Sequence, residues 1–335
     1  MPSDFDVIIA GGGVIGASIA WRLARNNLRV LLCDAHAIGS EASSAAAGML
    51  APEGEFHQPS PMLDLALGSL AAYPEFVRSI EADSGLPIEF RQTSALEIVL
   101  TGSAPLSPDQ LRALAPLARP DAIGAIHHTN EAIIDPAALM RSLRAACLAR
   151  GVCIKEQSPV TSITVTASDV QVAEHNARFA VLAAGAWSSS ISVTIDGQPY
   201  PLPRSFPIKG HLLGYRLPPG SLPCTVRHDH TYVLQRADGF TIAGSSTEDA
   251  GFDRTIDPQI VSNIAARAGA LVPALRDLKP ESVWIGFRPA TDHAAPHIGR
   301  VRSSRLWLAY GHYRNGILLA PATCDRICQQ ISALE

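Results

Sequence analysis

The chain has 335 residues, of which 47% are hydrophobic and 17% charged, and its formal net charge is −4. That length allows two domains or one large one, and the composition suits a packed enzyme rather than a disordered chain. No basic excess supports nucleic-acid or anionic-membrane binding, so neither partner is expected.

In chain order, Val7 to Leu23 is apolar enough to suggest a signal peptide. The leader Met1-Pro2-Ser3-Asp4-Phe5-Asp6 carries no basic residue, however, and Gly11 to Gly13 and Arg22 interrupt the run. Nothing approaches the ~18 uninterrupted apolar residues of a membrane span. The expectation is a soluble, cytoplasmic protein. Asp6 to Ala10 reads as a strand buried on both faces, Ala17 to Asn26 as a helix, and Arg29 to Cys33 as a second buried strand. Together they form a βαβ unit.

Pro59 to Glu81 reads as helical. Pro87 to Leu100 alternates and reads as two strands separated near Gln92-Thr93, and Pro108 to Leu117 as a helix. Asp135-Pro136 is a helix entry, Asp135 the cap and Pro136 the first position, for a helix to about Arg150-Gly151. Short strands are expected at Val152–Glu156, Ser162–Thr166, Val170–Ala173 and Phe179–Leu182, then at Leu212–Arg216, Thr231–Leu234, Thr241–Ala243 and Val283–Phe287. A helix at about Pro258 to Leu271 interrupts the second group. A last strand, Leu306–Ala309, precedes a glycine-containing loop and a terminal helix from Ile317 to Leu334.

The six cysteines, Cys33, Cys147, Cys153, Cys224, Cys324 and Cys328, include no C-x-x-C pair. Neither a disulfide framework nor a metal site is expected, and the thiols read as reduced.

Gly11-Gly12-Gly13-Val14-Ile15-Gly16 contains G-x-G-x-x-G. Gly11 permits the tight turn, Gly13 the approach of a pyrophosphate to the backbone, and Gly16 the packing of helix on strand. The helix start, with Val14 and Ile15, offers free N–H groups and a positive dipole end. Asp34, about 20 residues on, is placed to accept from a ribose 2′-OH, which disfavours a 2′-phosphate and hence NADP. The βαβ unit alone does not separate FAD from NAD.

Four patches resemble the D-amino-acid oxidase superfamily, and within it the glycine oxidases of thiamine biosynthesis. They are the N-terminal unit, Ser43 to Pro52 (SSAAAGMLAP), Ala183 to Ser188, and Gly286-Phe287-Arg288-Pro289 with Gly311 to Pro321 (GHYRNGILLAP). The resemblance spans essentially the whole chain and implies FAD rather than NAD. It implies that Ser43, Ser44, Ala46, Ala47, Gly48 and Met49 lie along the flavin ring, with Val160 near the adenine. Gly185, Trp187, His312, Arg314, Asn315, Gly316, Ile317 and Leu318 join the cofactor contacts, and Arg288 adjoins both cofactor and substrate. The glycine loop before the last helix would aim an N-terminus at the flavin and stabilise charge on the reduced ring.

The fold class implied is α/β, a Rossmann-type FAD-binding domain with an inserted, mostly antiparallel α+β substrate domain. Residues 1–82, 136–206 and 284–335 are assigned to the first, 83–135 and 207–283 to the second. Relatives of the sarcosine-oxidase type attach FAD through a cysteine where this chain has Pro289-Ala290-Thr291, so noncovalent FAD is expected.

The chemistry implied is oxidation of a small amino acid or amine, such as glycine, sarcosine or a small D-amino acid. O2 would then be the electron acceptor and H2O2 a product. The flavin carries the hard step and the protein orients the substrate. Arg288 is the candidate carboxylate clamp, because guanidinium grips a carboxylate bidentately. Tyr232 is a second donor, and Arg314 either helps with substrate or holds its loop.

His293, His297 and His312 tempt as acid–base groups, but structural or solvent-exposed roles are preferred. Lys209 is a residue that could face the flavin. Thr247 and His211 stand where glycine oxidases carry methionine and glutamine, which would make the neighbourhood of the pocket more polar and argues against glycine itself as the preferred substrate. Three rivals stay open: a D-amino-acid dehydrogenase with another acceptor, an NAD-dependent dehydrogenase, and a flavin-binding protein without turnover. The sequence is also compatible with a homo-oligomer.

Overall fold

The computed structural model describes residues 4–293 and 295–334; Met1 to Ser3 of the leader lie outside the described residues. Among the described residues two sheets make the frame, one of ten strands and one of eight.

The first sheet has a parallel centre. Phe5–Ala10 lies between Val30–Cys33 and His175–Leu182, with Cys153–Lys155 outside the former and Leu306–Tyr310 beside the latter. Alternate residues of the central strand serve two cores, as a period of two requires. Val7 and Ile9 pack beneath the helices Val14–Arg25, Pro61–Ser84, Pro136–Ala149 and Gly316–Ser332. Ile8 and Ala10 face the antiparallel layer that contains Ile163, Val170 and Val193. Burial on both faces explains why this strand reads as an unbroken apolar run.

The second sheet is mostly antiparallel. Its longest pair joins Ser205–Arg216 to Ser282–Thr291, and it continues through Phe240–Gly244, Thr231–Gln235, Thr225–His228, Phe90–Val99 and Gly124–Ile134 to Met49–Leu50. Leu213 and Tyr215 face the helix Pro258–Leu271 in one core, whereas Leu212 packs with Leu234 and Ile242 on the opposite face.

Several expectations need correction here. Phe90–Val99 is a single strand, and the suspected break near Gln92-Thr93 is a register irregularity between Thr93 and Ala95 within it. Gly124–Ile134, Thr225–His228, Ser192–Ile195 and His297–Arg300 are strands that the pattern did not reveal. The sequence of the long pair reads only as two five-residue pieces, because prolines and glycines break it up. Pro207 sits opposite Pro289, where neither partner has an N–H to offer, so this is a non-hydrogen-bonded position that tolerates both.

The helix entry at Asp135 matches its expectation. The side-chain oxygen accepts from the N–H groups of Ala137 and Ala138 at 2.9 and 3.2 Å, with Pro136 at the first position. Asp135→Ala should lower stability by about 1 kcal/mol, measured as a shift in denaturant midpoint at unchanged slope.

Candidate active site

A cavity of about 430 Å³ opens between the two sheets. On one side it meets Ala10, Cys33 and Ala183, at the carboxyl ends of parallel strands, where open α/β sheets bind ligands. The glycine turn forms its rim. Gly11 has φ +107°, and a Cβ there would lie 2.4 Å from the Ala183 carbonyl oxygen; a Cβ on Gly16 would lie 1.9 Å from the Gly11 oxygen. Both positions exclude a side chain because backbone already fills the space.

Ser43 Oγ accepts from Val14 N–H at 2.9 Å, which ties the loop after the second strand to the start of the first helix. The Asp34 carboxylate accepts from Gly12 N–H at 2.6 Å and His36 N–H at 2.7 Å. Burial pushes its pKa up, and those two hydrogen bonds oppose the shift. Each oxygen keeps a lone pair for a further donor. Val160 lines the cavity at this end, as does Cys33, whose thiol burial pushes up to about 11. A thiol so shifted is not a nucleophile at neutral pH.

Along the middle run Ser43, Ala46, Ala47, Gly48, Met49, Gly185, Trp187, His312, Asn315, Gly316 and Ile317. Trp187 is held by stacking on Phe252 at 4.6 Å. Three expected contacts fall elsewhere. Gly16 packs under the turn, and Ser44 lines a smaller cavity behind the loop. The Leu318 side chain is buried in the helical core, while its carbonyl accepts from Ser69 Oγ at 2.7 Å.

At the far end Arg288, Tyr232 and Arg314 come together with Glu55, Ser245 and Tyr313. Gly210 is the reason Arg288 can lie flat across its neighbouring strand: a Cβ on Gly210 would meet the guanidinium at 2.4 Å. Arg288 donates to the Ser246 carbonyl at 3.1 Å and to Ser245 Oγ at 3.0 Å. It has no carboxylate partner among the described residues, and burial pushes its pKa down, so the cation is underpaired. Tyr232 is buried beside it, its hydroxyl shifted up by desolvation and therefore a proton donor at neutral pH. Arg314, by contrast, already has an anion, Glu55, at 3.1 Å. Of its two readings the pairing favours holding the loop.

Three residues are not where a pocket role would put them. Lys209 and His211 lie on the face of their strand opposite Gly210 and Leu212. Lys209 is 2% exposed and donates to Asp253 at 3.2 Å and to the Thr255 carbonyl at 2.5 Å, so it does not face the cavity. His211 Nδ1 donates to Glu248 at 2.8 Å, and its Nε2 accepts from Asp257 N–H at 3.1 Å. Ser246, whose carbonyl receives Arg288, also donates to Glu248. His211 thus supports the wall behind Arg288. Neither it, Lys209 nor Thr247 lines the cavity, so the polar change at His211 lies in the wall behind Arg288 and not in the lining itself.

His297 packs against Tyr310 rather than in the cavity, and His293 does not line it either. His312 does reach it, but its Nε2 is 3.0 Å from Thr323 Oγ1 and burial pushes its pKa down to about 3. The unfolded chain, with an ordinary histidine near 6.5, binds the proton more readily. Stability from this group is present above about pH 6.5 and is lost as pH falls toward 3, with a slope of up to about 1.4 kcal/mol per pH unit. His312→Gln should flatten the acid limb of a plot of unfolding free energy against pH by that amount.

Glu55, Ser245 and Tyr313 were missed in the sequence. Glu55 follows SSAAAGMLAP by three residues, but an acidic residue in an exposed-looking Glu-Gly-Glu stretch signals nothing by itself.

The cradle fits a dinucleotide with an unphosphorylated ribose: a glycine turn closed to side chains, a half-buried acceptor at Asp34 and a long bare loop beyond. Residues 6–330 match the profile of the DAO family, described as FAD dependent oxidoreductase. The chain belongs to this FAD-dependent oxidoreductase family. FAD is its cofactor, and the βαβ unit's ambiguity with NAD is resolved. The chain is 35% identical over 351 residues to the "Bifunctional protein ThiO/ThiG" of Synechocystis sp., across 99% of its own length. It spans only 52% of that protein. It is 31% identical over 355 residues to a "Glycine oxidase" of Pseudomonas putida, covering 98% of this chain and 95% of that one. The crystal structure of glycine oxidase from Geobacillus kaustophilus superimposes with a TM-score of 0.90 at 28% identity, over 98% of this chain and 95% of the other. No helix among the described residues is long and apolar enough to cross a membrane.

Proposed function

We propose that this flavoenzyme oxidises the C–N bond of a small amino acid or amine, of the glycine, sarcosine or small D-amino acid class, with O2 as acceptor and H2O2 as product. We place the activity in thiamine biosynthesis, in line with the sequence resemblance. One observation carries the reading. Arg288 is a half-buried guanidinium with no carboxylate partner among the described residues, beside a protonated Tyr232 hydroxyl, at the end of the cavity away from the glycine turn. A substrate carboxylate supplies the missing charge and accepts from both. Relatives named as glycine oxidases support the same substrate class.

FAD, when bound, supplies a two-electron acceptor for the hydrogen on the substrate carbon. The chain's own residues do the positioning. Arg288 and Tyr232 fix the carboxylate, and Ser245, which accepts from Arg288, holds the two in register. Glu55 neutralises Arg314, so the anion is drawn to Arg288. The substrate amine loses a proton to water before the carbon–hydrogen bond breaks. Water then hydrolyses the imine to a carbonyl acid, releasing ammonia or, from sarcosine, methylamine.

An oxygen electrode and a peroxide assay with glycine, sarcosine and D-alanine test the reading. Oxygen uptake matched by peroxide is expected with at least one of them. Substrate-dependent reduction of an artificial acceptor without oxygen uptake would replace the oxidase by a dehydrogenase.

A further inference from the structure

The loop that carries the flavin-facing residues is held from behind by two side chains that never reach the main cavity. Trp284 Nε1 donates to the Ala45 carbonyl at 3.0 Å. Arg236 donates to the Ala47 carbonyl at 2.5 Å and also to the Ile134 carbonyl. Both residues line the small cavity on the far side of the loop, together with Ser44, Ala46 and Phe240. Ile134 N–H completes the anchor by donating to the Gly48 carbonyl at 2.9 Å.

The geometry of the peptide unit makes this informative. In a trans peptide C=O and N–H point in opposite directions. Because the Ala45 and Ala47 carbonyls are drawn back to Trp284 and Arg236, the N–H groups of Ala46 and Gly48 are turned the other way, toward the main cavity. Neither N–H has an acceptor among the described residues. Arg236 is 6% exposed and has no carboxylate within ion-pairing distance among the described residues. A buried cation with only carbonyl acceptors is costly unless its charge is used. Here it polarises the Ala47–Gly48 peptide, making the Gly48 N–H a stronger donor.

We propose that Arg236 and Trp284 are positioning residues that orient the Ala46 and Gly48 N–H groups toward the bound flavin, and so set FAD affinity and the ease of its reduction. The loop is a preorganised donor pair for negative charge on the reduced ring, with a fixed cation behind it. The role explains why Gly48 is glycine: at φ +87° a Cβ would lie 2.0 Å from the Ile134 oxygen and 3.0 Å from the Arg236 guanidinium.

The test compares Arg236→Gln, Arg236→Lys and Trp284→Phe with the parent. Three readouts are taken: the FAD dissociation constant of the apoprotein, the flavin midpoint potential, and the melting temperature of the apoprotein. Arg236→Gln should weaken FAD binding at least tenfold and lower the potential. Arg236→Lys should recover part of both, and Trp284→Phe should shift both the same way by less. If the apoprotein merely melts earlier, with FAD affinity and potential unchanged, the two residues are structural supports and the proposal is overturned. If Arg236→Gln does not fold, Trp284→Phe decides the matter on the same two readouts.

Discussion

Arg288→Ala should reduce kcat/KM by about 1,000-fold, equivalent to ~4 kcal/mol, while leaving FAD bound. The magnitude follows from what the guanidinium lacks. Its hydrogen bonds go to a carbonyl and a hydroxyl, neither of which neutralises it. In the proposed function the substrate carboxylate is the counter-ion, and removing the cation would leave that carboxylate unpaired against Tyr232. Arg288→Lys should restore only part of the loss, because an ammonium cannot grip both oxygens in one plane. Steady-state kinetics on protein of verified flavin content check this. A variant with normal kcat/KM would remove Arg288 from the site.

Gly16→Ala should yield protein with little or no flavin, its FAD affinity lowered by about 100-fold, or ~2.7 kcal/mol. The added Cβ would sit 1.9 Å from the Gly11 carbonyl oxygen, an atom of the turn that rims the cavity proposed to hold FAD, so the turn itself must move. Gly68→Ala is the matched control. Nothing lies within 4 Å of a Cβ there, on the helix Pro61–Ser84, and alanine favours a helix. FAD titration of the two apoproteins should separate them, the control binding as the parent does.

How much of this was legible in the residues differs by region. The turn at Gly11 to Gly16 and the acceptor beside it at Asp34 were readable because the glycine spacing and the acidic strand end are local features. The helix entry at Asp135-Pro136 was readable for the same reason. The long strands at Ser205–Arg216 and Ser282–Thr291 were not, because prolines that face each other across a sheet look like breaks when each is read alone.

The substrate end divides similarly. Arg288 and Tyr232 are singled out by the resemblance, and both line the cavity. Glu55 and Ser245 matter only through partners 259 and 43 positions away in the chain, Arg314 and Arg288, and no local pattern encodes such a meeting. Lys209 and His211 show the converse. Their neighbour Gly210 lines the cavity, but strand alternation turns their own side chains to the opposite face.

The central claim is that an amino acid held by Arg288 passes its electrons to bound FAD. The most direct measurement is the visible flavin spectrum of the purified protein under anaerobic conditions, before and after glycine, sarcosine or D-alanine is added, in parent and Arg288→Ala protein. The account predicts bleaching of the parent by at least one of them and a yellow, unbleached variant. A parent protein that binds FAD and is bleached by none, or a variant bleached as fast as the parent, would contradict it.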